Sequence, residues 1–147
     1  MSTRTKILAA VAALGVLVIV LGRGGEPSAE RQAVEDDPMA AYVPPGGTLA
    51  DTDTRNRGTS LDRDVDATHT RLFELRESAA LGALAHARAA ATAAGWTVTE
   101  TTDRGFLAER TVPSGRLALA VTLTRDALLL PDDVEPPALS VSVSHLA

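Results

Sequence analysis

The chain has 147 residues, a net charge of −5 and no cysteine. The missing cysteines exclude disulfides, thiolate zinc sites, a thiol nucleophile and a cysteine-attached lipid. The scattered arginines and an aromatic content of 3% disfavour nucleic acid, which wants a basic stripe and stacking rings.

The first feature in chain order is Ile7 to Leu21, fifteen residues without a charge. As a helix it would span about 23 Å at 1.5 Å per residue. That is short of the ~30 Å hydrocarbon core, so length alone suggests the core of a secretory signal. The run nevertheless ends in the bulky "VLVIVL", and no small-x-small pair follows it. Lys6 and Arg23 can snorkel at either end. The segment 1–23 is therefore read as a retained transmembrane anchor, embedded in the cytoplasmic membrane through residues 7–21. The alternative is a signal cut near Ala29, which would release a secreted domain. Arg4 and Lys6 precede the run without acids, so the positive-inside rule places the N-terminus in the cytoplasm and the remainder outside.

Residues 24–66 are rich in Pro, Gly, Asp, Thr and Arg and poor in large apolar side chains. That composition suggests a largely disordered tether, reaching roughly 35–40 Å root-mean-square. Within it, "DPMAAYVPPGGTL" gathers apolar residues around a Pro-Pro-Gly-Gly step. Tyr42, Val43, Pro44 and Pro45 are the candidate partner-binding residues; the plainer reading is a segment lying on its own domain, or a simple linker. Asp62, Asp64 and Asp66 alternate as in a calcium loop, but Ala67 and Phe73 stand where such a loop needs Gly and Glu.

From Ala67 to Ala147 the pattern is that of a small folded domain. Residues 67–74 read as a first strand or as a backward extension of the following helix. Ser78 can cap a helix over Ala79–Ala94, with Gly95 as its left-handed stop. Ala80, Leu84, Ala87, Ala91 and Ala94 would form its inner face, leaving His86, Arg88 and Thr92 in water. Strands are expected over Trp96–Thr102, Phe106–Val112, Arg116–Arg125 and Leu139–His145, each with period-2 alternation. Asp103-Arg104-Gly105 and Pro113-Ser114-Gly115 are turns, so neighbouring strands should be antiparallel. The expected fold is α+β: one Ala-rich helix on a mainly antiparallel sheet of four to five strands, a two-layer sandwich. Trp96 should plug the core between helix and sheet. The Thr and Ser residues at 97, 99, 101, 122, 124, 140, 142 and 144 should form the wet face, a hydroxyl-rich surface for a glycan or an envelope protein in the sharper reading.

His69, His86 and His145 show no ligand spacing, and no nucleophile elbow or phosphate loop occurs. No catalytic, cofactor or metal residue is assigned. A hydrolase whose site is assembled only in three dimensions is the remaining enzymatic alternative.

A basic start, one apolar span, the "YVPPG" of Tyr42 to Gly46 and an Ala-rich helix ending in "AAGW" (Ala93 to Trp96) resemble small single-span membrane-anchored proteins of actinobacterial type. The resemblance implies no activity. The anchor, the long tether and the missing catalytic clusters lead to the expectation of a membrane-anchored, non-catalytic binding or accessory module outside the cytoplasm.

Overall fold

The computed structural model describes residues 27–60 and 63–147. The segment expected to be an anchor or signal, 1–23, lies outside the described residues. Among the described residues no helix is long and apolar enough to cross a membrane.

The stretch read as a tether is largely folded. A helix, α1, covers Ala29–Glu35, with the Ser28 side chain accepting from the Arg31 backbone N–H at its start. A short 3-10 helix, Pro38–Ala40, follows, capped in the same way by Asp37. A strand, β1, runs over Gly47–Ser60. The physical reason is burial that composition hides: Val34 and Met39 are each only 1% exposed. Two well-placed apolar side chains and two caps hold a segment whose average polarity is high.

Residues 67–74 are strand, inside β2 at Arg63–Leu75, which removes the alternative of a longer helix. Helix α2 spans Glu77–Ala93, two residues earlier than a Ser78 cap would allow, and Arg76 at its N-cap makes no side-chain bond there. Gly95, at φ +87°, supplies the left-handed stop. Ala80, Ala83, Ala87 and Ala91 are its buried residues, while Leu84 and Ala94 are only partly buried against the core. Then come β3 (Thr97–Thr101), β4 (Gly105–Val112), β5 (Gly115–Thr124), a second 3-10 turn (Ala127–Leu129) and β6 (Ala138–Leu146).

The fold is α+β, with a six-stranded antiparallel sheet rather than four or five strands, in the order β1-β2-β6-β5-β4-β3. The extra strand is β1, which sequence patterning misses because it is an edge strand wet on both faces. Register aligns side chains in rows across the sheet. On one face Phe73, Leu139 and Leu123 are neighbours, as are Val143, Leu119 and Ala108. This is the covered face: α2 packs over β3, β4 and β5, and α1 over β2 and β6. Phe73, Leu117, Leu119, Leu139 and Val143 are fully buried there. Because α2 presents alanines, its backbone approaches the sheet closely, and the large side chains come from the strands.

Candidate binding face

Among the described residues no helix lies on the other face of the sheet. Its rows are Thr68–Ser144–Ala118, Thr70–Ser142–Ala120 and Leu72–Ser140–Thr122. The hydroxyls pair across β2 and β6, Thr68 to Ser144 at 3.0 Å and Thr70 to Ser142 at 2.9 Å. Small side chains in the central strands and longer ones on β4 make a shallow trough. At one end it deepens into a cavity of about 240 Å³, walled by Val65, Leu107, Ala118 and Leu146 and carrying Thr99, Glu100, Glu109 and Ser144. Ser144 is only 3% exposed although none of the described helices lies over it. Glu109 pairs with Arg116 at 3.5 Å, at the side of the cavity. Apolar walls beside hydroxyls and two carboxylates suit a short polar segment that offers hydrogen-bond donors or a positive charge.

All four aromatic residues belong to the covered side: Phe73, Trp96 and Phe106 in the core and Tyr42 packed against it. The open face therefore has no ring on which a sugar or base could stack.

The covered side has its own polar cluster. Trp96 is 3% exposed, as expected of a core plug, and its Nε1–H donates to Asp37 Oδ1 at 3.2 Å. The Met39 backbone N–H donates to the same oxygen at 2.8 Å, and Arg110 donates to Oδ2 at 2.9 Å. Asp37, 4% exposed, thus clamps the 3-10 turn to β4 and the end of α2. A buried carboxylate with three donors is satisfied, and it reads as a structural clamp. Beside it Arg71 donates to the Ala40 and Tyr42 carbonyls and stacks over the Phe73 ring at 5.0 Å.

The sequence-derived candidates fall as follows. Tyr42 has its hydroxyl 2.8 Å from His86 Nδ1, and burial pushes its pKa up. Val43 is 55% exposed, Pro44 is fully buried and Pro45 is exposed. The Pro-Pro step therefore lies on its own domain, with Val43 and Pro45 outward. Asp62 lies outside the described residues; Asp64 and Asp66 sit in β2. Among the described residues no group of three or more His, Asp or Glu is placed to hold a metal.

The histidines are dispersed. His69, on the covered face of β2, lies 2.8 Å from Thr54 Oγ1; burial, then the Arg71 charge, lowers its pKa. His145 is 3% exposed, with Nε2 donating to the Ser114 carbonyl at 3.1 Å and Nδ1 lying 3.4 Å from Asp66 Oδ2 without a hydrogen bond. Asp, His and Ser thus meet, but the histidine faces the serine carbonyl. The Ser114 hydroxyl has no hydrogen-bond partner, so the group is not arranged to activate a nucleophile.

Sequence reasoning missed Asp37, Arg110 and the cavity. The Asp37-Pro38 step, a capping residue followed by Pro at the first helical position, was the available signal for the first. Nothing in the sequence marks the cavity, because its lining residues converge from five strands. Comparison with protein families, with curated proteins and with solved structures finds no match.

Proposed function

We propose that the chain is a membrane-anchored, non-catalytic binding or accessory module, presented outside the cytoplasm, whose sheet face left open by the described helices receives a partner. The observation that carries this reading is that face: a hydroxyl-lined trough ending in a cavity of about 240 Å³ with carboxylates at its side. The absence of aromatic rings there favours an envelope protein segment over a glycan, since sugars are commonly held by stacking as well as by hydrogen bonds. Val43 and Pro45 add a second outward patch.

The apolar run and its basic lead support the anchoring. Only residues 22–28 separate the run from α1, so an anchored domain sits against the membrane surface and not at the end of a long tether. A cut at Ala29 would remove the Ser28 cap from α1, a loss of about 1 kcal/mol, which weighs against release at that bond.

Protease added to intact protoplasts tests the placement. Digestion of residues 27–147 with survival of a short membrane-bound N-terminal fragment is expected. Full protection of the folded domain would sink the proposal.

A further inference from the structure

We infer that β1 is a self-pairing edge, through which two copies of the chain join antiparallel about a two-fold axis at Thr54. Among the described residues β1 pairs only with β2, which leaves its outer edge as an unpaired ladder of backbone N–H and C=O groups there. It is fourteen residues long and contains no proline. Edges that must stay single are commonly blunted by prolines, bulges or charges that repel a second strand. The register shift in β1 lies between Leu49 and Asp51, outside the stretch that follows.

That stretch, Asp51-Thr52-Asp53-Thr54-Arg55-Asn56-Arg57, is antisymmetric in charge about Thr54. In an antiparallel pairing centred there, Asp53 stands opposite Arg55 of the second copy, Asp51 opposite residue 57, an arginine, and Thr54 opposite itself. Directly opposed residues share a sheet face, so Asp53 of one copy and Arg55 of the other are unlike charges within reach. Sliding the register by two residues keeps one kind of unlike opposition, Asp51 with Arg55 or Asp53 with residue 57, but sets Asp53 against Asp53 or Arg55 against Arg55, and like charges directly opposite repel. The charges thus select one register; a purely repulsive edge would carry one sign.

The single chain already shows the geometry this needs. Asp53 is paired in register with Thr70 and Arg55 with Thr68, so both lie on the open face. They form an ion pair with each other while remaining 46% and 75% exposed, which leaves both free to reach across. Thr54, on the opposite face, is held by His69 at 2.8 Å. A two-fold axis perpendicular to the sheet makes one sheet of both copies. It sets the two open faces side by side and leaves both copies of α1 on the same side.

The chain has no cysteine, so single cysteines report the register in isolated membranes holding the full-length protein. Residues opposite each other across an antiparallel pair have Cα atoms about 4.5–5.5 Å apart, within disulfide range. With added oxidant, Thr54→Cys is expected to crosslink roughly tenfold faster than Thr52→Cys or Asn56→Cys alone, whose like positions lie about four residues apart along the strand. Thr52→Cys co-expressed with Asn56→Cys should crosslink as a mixed pair. In the Thr54→Cys background, Asp53→Arg and Arg55→Asp should each abolish the crosslink alone and restore it when co-expressed, since only the mixed pair opposes unlike charges. Equal crosslinking from Thr52→Cys and Thr54→Cys, or no rescue in the mixed pair, would overturn the inference.

Discussion

The two faces of one sheet are built from the same four inner strands, β2, β6, β5 and β4, and have opposite characters. The covered face is closed twice, by the alanines of α2 and by α1 with its 3-10 turn, and its one buried carboxylate has every donor it needs. The open face keeps hydroxyls in pairs and leaves a cavity between its strands. Strand alternation alone produces this division, because each step along the chain changes sides. Stability should therefore depend on one face and binding on the other, and substitutions can separate the two.

The largest effect is expected from the covered face. Phe73→Ala empties a fully buried site and should cost about 3–5 kcal/mol in denaturant unfolding. Asp37→Ala leaves the Trp96 and Met39 N–H groups without their acceptor and Arg110 without its partner. Because Arg110 is about one-third exposed, the loss should be smaller, about 2–3 kcal/mol. Gly115→Ala adds a Cβ 3.0 Å from the His145 ring at φ +144°, and a loss of about 1–3 kcal/mol should appear as a lowered Tm. If Asp37→Ala were neutral, the clamp would not be what holds residues 29–46 to the sheet.

A smaller effect, read by pH, sits at the margin of the covered face. Burial and Arg71 lower the His69 pKa below its usual 6.5, against a weaker opposing pull from Glu35. The unfolded chain therefore binds the proton more readily. The stability that His69 contributes is complete above the unfolded value and is lost as pH falls through the folded one. Wild type should lose stability as pH drops from about 7 towards 5, and His69→Gln should flatten that slope in paired melts. The smallest effect belongs to the open face: Thr70→Ala with Ser142→Ala should change stability by less than about 1 kcal/mol. A large loss there would mean that the open face also maintains the fold.

Most of the domain's C-terminal part was legible. β4, β5, β6 and the body of α2 follow from alternation and alanine spacing, and Trp96 sits where its place after the helix stop put it. Residues 29–60 were not legible as structure. α1 has a single fully buried large side chain, Val34, and β1 alternates Thr with charges because no described element covers either of its faces. Composition measures the average, whereas these elements are held by a few side chains and by pairing with β2. The hydroxyl rows could be read from Ser140, Ser142 and Ser144. The cavity could not, because its walls come from β2, β3, β4, β5 and β6 together.

The most direct test of the central claim compares one exposed position on each side of the molecule. Leu81, 85% exposed on the outer side of α2, and Thr122, on the open face, are each replaced by cysteine in the otherwise cysteine-free chain. Both variants are then treated with a membrane-impermeant maleimide, in intact cells and after purification. The account predicts that Leu81→Cys labels equally well in both settings, while Thr122→Cys labels more slowly in cells, where a partner occupies the open face. Failure of Leu81→Cys to label in intact cells would contradict the placement outside the membrane. Equal rates for Thr122→Cys in cells and in the purified protein would contradict the open face as the binding surface.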